Sequence, residues 1–305
     1  MAVKQVLVKQ GNTSKLIDAH HHLWDIEQHH YPWLAAKGEV RFFGQPDPIR
    51  KNYLVSDYCR DHNNQISQSV HVQVGISPEL RLTETKWLQQ CHDQSNGVFP
   101  AKVVVEIDML ADDVEQQILA HKQYGVTQGV RHIIGKSPEE NKTMPAFNRD
   151  KWFNSLQLLQ KHGLSFDLQL TEEHYEHVFN VLKMLPDLKV VICHLASPWD
   201  QSDSGFELWC KAMSCFAILP NCHMKISGFA MFNHAFIANK FEQYAHKAIE
   251  IFGAKRCMLG SNFPVDKLYM SYSELINHWQ SLLQSYPVEQ QQFLAHQTAS
   301  NFYEL

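Results

Sequence analysis

Eight short runs rich in β-branched and other apolar residues recur along the chain. Between them lie longer stretches in which apolar positions return every three or four residues. The short runs, at 15–20, 69–75, 101–107, 129–134, 165–170, 189–194, 222–227 and 256–261, predict strands. The longer stretches predict helices, among them 112–124, 152–162, 172–185, 206–217 and 236–252. Three of these end near a glycine (Gly125, Gly163, Gly253) placed for a left-handed cap. Strands with helices between them imply right-handed parallel crossovers. Eight such units in about 250 residues match a closed (β/α)₈ barrel, the TIM barrel, better than a doubly wound sheet of five or six strands. No repeat or linker divides the chain, so 1–305 reads as one domain. The longest irregular stretch, 25–64, is rich in aromatic and turn residues and is expected to fold over the C-terminal mouth of the barrel.

Composition narrows the partners. The 305 residues are 44% hydrophobic, enough for a large core, and carry a formal net charge of -5 without a Lys/Arg run. There is no basic field for nucleic acid or an anionic membrane, which leaves small molecules or further copies of the chain in a homo-oligomer. Seven cysteines, an odd number with no Cys-x-x-Cys pair, suit reduced thiols rather than disulfides or a thiolate zinc site. Residues 1–10 lack the apolar core of a signal peptide, and no later run is long enough to span a bilayer. A cytoplasmic location is expected.

In a parallel barrel the chemistry sits where strands end. The first run ends in His20-His21-His22. Alternation sends His20 and His22 to one side and His21 to the other, so two imidazoles can meet one metal or one substrate. Such a pair serves equally as a hydrogen-bonded barrel layer in a chain with 19 histidines. The sixth run ends in His194, placed to converge on the first pair. Other strand ends offer His71 and Gln73, Glu106 and Asp108, Arg131 and His132, and Lys225. Arg131 and Lys225 are the favoured inward cations, suited to substrate carboxylate or hydroxyl groups, with a barrel-interior ion pair as the alternative. For Asp108 the ion pair is the preferred reading. The last run closes in Gly260-Ser261-Asn262-Phe263-Pro264-Val265-Asp266.

These motifs stand in a telling order. His-x-His is followed by Val-Ile-Cys-His-Leu, Lys-Ile-Ser-Gly and Gly-Ser-Asn-Phe-Pro-Val. Asp18-Ala19-His20-His21-His22-Leu23-Trp24-Asp25, Tyr31-Pro32-Trp33-Leu34, Glu84-Thr85-Lys86-Trp87-Leu88, Gly129-Val130-Arg131-His132 and Asn301-Phe302-Tyr303 accompany them. Almost end to end, the chain resembles the amidohydrolase-related (amidohydrolase 2) family of the amidohydrolase superfamily, which includes sugar-acid lactonases such as fuconolactonase and pyrone-dicarboxylate hydrolases. The resemblance implies that His20, His22 and His194 line the active site, that Arg131 and Lys225 contact substrate, and that a strand-eight aspartate activates water. Gln73 and Trp24 join the expected substrate contacts.

Here the aspartate position is Asn262. A neutral amide orients water but neither takes a proton nor ligates a cation well, and a nearby carboxylate such as Asp266 or Asp25 could stand in. The expected function is hydrolysis of a sugar-acid or muconolactone-like lactone by water attack on the carbonyl, with Trp24, Tyr31 and Trp33 shielding the reaction from water. The alternatives are a metal-dependent decarboxylase of the same superfamily, and a binder of small acids disarmed at Asn262. No cofactor is certain; one divalent ion, zinc, on His20, His22 and His194 is the candidate.

Overall fold

A computed structural model describes residues 16–142 and 148–305. Lys15 and residues 1–10 of the sequence reading lie outside the described residues. Eight parallel strands run in one sheet in sequence order: β1 (Leu16–His21), β2 (Ile66–Val72), β3 (Lys102–Val105), β4 (Thr127–Ile133), β5 (Ser165–Gln169), β6 (Val190–Ile192), β7 (Cys222–Ile226) and β8 (Cys257–Leu259). The helices are α1 (Pro32–Ala35), α2 (Val55–His62), α3 (Arg81–Gln94), α4 (Val114–Lys122), α5 (Pro138–Asn141), α6 (Arg149–Lys161), α7 (Tyr175–Leu182), α8 (Asp203–Ile218), α9 (Ala238–Phe252), α10 (Tyr272–Gln284), α11 (Val288–Gln292) and α12 (Thr298–Tyr303). This is a (β/α)₈ barrel, as the alternation predicts. Among the described residues no helix is long and apolar enough to cross a membrane.

Two expectations need correction. The 25–64 stretch is not one irregular loop, because its residues 55–62 form helix α2, the first crossover. Asp57 accepts the Leu54 N–H at the start of α2, and Asn63 and Asn64 end it with positive φ. Of the three glycines, Gly163 and Gly253 take positive φ but Gly125 does not. Helix α4 has already ended at Lys122, and Tyr124 begins the turn into β4 through a Thr127 N–H bond to its carbonyl.

The barrel interior is layered. Ile17, Ala19, Val70, Val72, Val104, Val191 and Met258 pack against Phe302 and Tyr303 of α12, which fills that part of the barrel. A bulge in β1 changes what comes next. Asp18 pairs with Ser69 and His21 with His71, three residues advanced on β1 against two on β2. The extra residue shifts the phase of the alternation. Asp18 and His21 both meet the helical shell, Asp18 bonding Tyr58 and Tyr272 and His21 stacking on Tyr58 at 4.2 Å. Ala19 and His20 both stay on the interior side.

Among the described residues no ladder joins β1 to β8. Asp18 instead clasps the seam, accepting the Ser261 N–H at 2.8 Å and the Ser261 hydroxyl at 2.6 Å. The Asn262 N–H donates to the His20 carbonyl and the His22 N–H to the Phe263 carbonyl, each at 2.7 Å. These bonds set Asn262 beside His22.

Candidate active site

The carboxyl ends of the strands open onto a cavity of about 410 Å³, ample for a small acid or lactone. His22, Gln73, Arg131, His194 and Asn262 line it, with Trp24 and Trp33 on the side of the 25–54 segment. His20 and Lys225 do not line it. Both are fully buried, the His20 ring 4.4 Å from that of His194 and 5.0 Å from that of His22. Lys225 is therefore no substrate contact in this arrangement: its ammonium pairs with the Asp167 carboxylate at 2.6 Å, with neither side chain exposed. Tyr31 is buried outside the cavity lining. Asp25 caps the 26–28 turn through the Glu27 and Gln28 N–H groups and is not a stand-in base. Asp108 is not an interior ion pair but an exposed residue at the mouth. Its strand-three neighbour Glu106 takes the cation instead, pairing with Arg81 at 2.8 Å.

His194 is held by unusual backbone. His194, Leu195, Ala196 and Ser197 have φ of 54°, 51°, 58° and 55°, a left-handed turn that costs L-residues roughly 1–2 kcal/mol each. The Trp209 indole N–H donates to the Leu195 carbonyl at 2.7 Å, and the Tyr175 hydroxyl donates to that of Ala196. Space for the two buried imidazoles comes from glycine. A Cβ on Gly228 would stand 2.4 Å from His194 Nδ1, and one on Gly260 would stand 2.6 Å from the His20 Cβ.

Partner chemistry fixes two ring tautomers. An ammonium only donates, so His20 Nδ1, 3.4 Å from Lys225 Nζ, is an acceptor and the proton sits on Nε2. A carbonyl only accepts, so His22 Nδ1, 2.8 Å from the Val72 oxygen, carries its proton. Burial holds His20, His22 and His194 well below the usual histidine range. Lys225 adds to this at His20, and Arg131 at His22 and His194. All three are neutral at physiological pH. Arg131 is also buried and donates to the Gln73 carbonyl. It forms no ion pair among the described residues, and its Nε is unpartnered. A buried guanidinium without a counterion is a receptor for an anionic group.

Asn262 has φ of 57°, a left-handed conformation that Asn tolerates well. Its amide lies between His22 Nε2 at 3.2 Å and Asp266, whose carboxylate oxygen is 2.7 Å from Nδ2. Burial pushes Asp266 up to about 7.

This donor set does not fit a divalent ion. His22 Nδ1 is spent on the Val72 carbonyl, His20 Nδ1 faces an ammonium, and strand eight contributes no anion. Two cations stand beside the cluster, which repels a dication. Among the described residues no three His, Cys, Asp or Glu side chains group as ligands for one ion.

The sequence reading passed over several lining groups. Gln169 was available from the same strand-end logic applied to β5. Arg41, Phe42 and Phe43 come from loop residues that carry no local signal of their direction.

Comparison with known proteins identifies the family. The amidohydrolase family profile matches residues 17–305. The uncharacterized protein y4mH of Sinorhizobium fredii is 35% identical over 293 residues, covering 94% of this chain and 98% of that protein. The L-fucono-1,5-lactonase of Burkholderia ambifaria is 26% identical over 262 residues, covering 83% and 81%. The crystal structure of an amidohydrolase from Burkholderia multivorans with bound zinc superposes with a TM-score of 0.78 at 21% identity, covering 95% and 99%. With an amidohydrolase match running from the first strand to the last residue, over a barrel whose strand ends gather His20, His22, His194 and Asn262, the chain belongs to the amidohydrolase family.

Proposed function

We propose that the protein hydrolyses a lactone bearing a carboxylate, by attack of water on the ring carbonyl without a metal ion. The observation that carries this reading is the neutral imidazole cluster at the cavity floor next to the unpaired, buried Arg131 guanidinium. Arg131 holds the substrate carboxylate, and Trp24 and Trp33 exclude bulk water. Asn262 orients the attacking water, whose proton passes to the bare Nε2 of His22 while its oxygen bonds to the acyl carbon. The new Nε2–H then has the Asn262 oxygen as acceptor. His194 on the cavity wall stabilises the oxyanion, backed by the His20 ring 4.4 Å behind it. The ring C–O bond breaks, and the leaving alkoxide takes the proton back from His22. The similarity to L-fucono-1,5-lactonase supports the reaction class.

A pH-indicator screen of carboxylate-bearing and neutral lactones tests this on wild-type protein, on Asn262→Asp and on His22→Gln, before and after chelation. The expected result is wild-type turnover that chelation does not alter, with a loss of about 10² to 10⁴ in His22→Gln. An inert wild type with turnover only in Asn262→Asp makes the natural protein a binder of small acids. Release of carbon dioxide from an aromatic acid that depends on added manganese or zinc makes it a decarboxylase.

A further inference from the structure

We propose that Gln169 is a further catalytic residue, whose side-chain amide donates to the ring oxygen of the lactone and holds that oxygen as it leaves. The inference rests on the hydrolase reading and adds to it the placing of the ring. Four residues that line the cavity carry a buried polar atom met by nothing among the described residues: Arg41, Glu106, Arg131 and Gln169. Arg41 and Glu106 form ion pairs through their other atoms, and Arg131 is the receptor for the substrate's carboxylate. Gln169 is left, neutral and 2% exposed, with its Nε2 unpartnered. A buried amide N–H without an acceptor is rare, because it has lost its hydrogen bonds to water and gained none in return.

The order of the strands says what that N–H meets. Strand β5 lies between β4, which carries Arg131, and β6, which leads into His194. Asp167 pairs with Arg131 across β4 and β5 and turns inward to Lys225. Gln169 follows two residues later on the same face, one layer nearer the mouth. Its neighbour Leu168 pairs with Ile192, two residues before His194. Gln169 thus stands between the guanidinium that takes the carboxylate and the imidazole that faces the carbonyl oxygen. In a lactone closed at the carbon bearing the acid arm, the atom between those two groups is the ring oxygen. Carboxylate, ring oxygen and carbonyl oxygen only accept, so the amide turns its N–H end toward them.

The contact gains strength late in the reaction. When the ring C–O bond breaks, its electron pair goes to the ring oxygen. The charge that gathers there is met by the Gln169 hydrogen bond until the proton held on His22 Nε2 arrives. An amide does not release its own proton at this stage, so Gln169 steadies the leaving alkoxide and leaves the proton balance of the cycle unchanged. The substrate class narrows to lactones whose ring oxygen sits on the carbon that carries the acid arm.

Two measurements on the whole protein test this, each on wild type and on Gln169→Met, which keeps the volume and removes the donor. The first compares the binding of tetrahydrofuran-2-carboxylate and cyclopentanecarboxylate by NMR titration. Wild type is expected to bind the ring ether about tenfold more tightly, since the carbocycle leaves the buried N–H unmet, and Gln169→Met is expected to lose that preference. The second compares two lactones with the same acid arm, one whose leaving oxygen is an alkoxide and one whose leaving oxygen is an enolate. Gln169→Met is expected to lower kcat about 10² to 10³ on the first and about tenfold or less on the second, which needs less help to leave. An equal loss on both lactones, a rise in KM with kcat unchanged, or an ether preference that survives in Gln169→Met overturns the inference while the hydrolase reading stands. If the ether preference depends on Gln169 and wild type turns over no lactone, the hydrolase reading falls and only the ring-oxygen contact remains.

Discussion

Removing the Lys225 ammonium tests whether this cation serves the barrel or the substrate. Lys225→Met replaces it with a side chain of similar length and no charge. In the folded protein Asp167 then loses the cation at 2.6 Å and, among the described residues, retains the hydrogen bond from the Tyr303 hydroxyl at 2.7 Å, with its other oxygen unpartnered. An uncompensated charge at a site with no exposure costs about 3–5 kcal/mol. Asp167→Leu is expected to cost a similar amount, because it strands an ammonium whose remaining neighbours are His20 Nδ1 at 3.4 Å and the Tyr303 ring face at 5.1 Å. The double variant removes both charges, and its stability is expected to return to within about 1 kcal/mol of wild type or to exceed it. The coupling between the two sites is then at least about 5 kcal/mol. Urea unfolding of the four proteins measures it. The double variant is also expected to lose kcat, because His20 no longer has its tautomer set, while KM holds. A single-variant cost below about 1 kcal/mol, or additive costs, would refute the buried-pair argument. A tenfold rise in KM would return Lys225 to the substrate.

Two further outcomes follow from the packing and the titrations. Gly228→Ala places a methyl 2.4 Å from His194 Nδ1 and 2.8 Å from the Met231 Cε at a φ of +61°. It is expected to abolish turnover and to lower stability by about 1–3 kcal/mol, read by kinetics and urea unfolding on one preparation. His71 is buried and lowered to about 3, chiefly by desolvation, so its contribution to stability is complete above about 6.5 and is lost as pH falls through 6.5 toward 3. At about pH 5 the loss is roughly 2 kcal/mol. His71→Gln is expected to flatten the stability decline between pH 7.5 and 5 by that amount, and parallel curves for the two proteins would count against it.

Much of the barrel was legible because its signals are local. All eight strands lie within about three residues of their apolar runs, since a buried parallel strand needs a short apolar stretch wherever it occurs. The pairing of His20 with His22 was legible as alternation. The bulge that turns the pair inward was not, because β1 alone does not record that it advances three residues against two on β2. Lys225 was legible as an inward cation. Its commitment to Asp167, 58 residues away along the chain, was not, and so an expected substrate contact became part of the floor. Gln169 ends β5 and obeys the same strand-end rule, whereas the inward turn of Arg41 and Phe43 belongs to a loop whose path is set by what it packs against.

The sequence by itself determined the eight-unit barrel, the strand ends at which polar groups gather, and the replacement of an aspartate by Asn262. These depend on residue type and period, which neighbouring positions carry. Only the tertiary structure decided which of those groups face the cavity, which tautomers His20 and His22 hold, and that Asp266 lies behind Asn262. Those outcomes depend on charge, burial and hydrogen-bond direction between residues brought together from strands far apart in the chain. The physical reason is that the proton affinity of a buried group is set by its spatial neighbours and its loss of water.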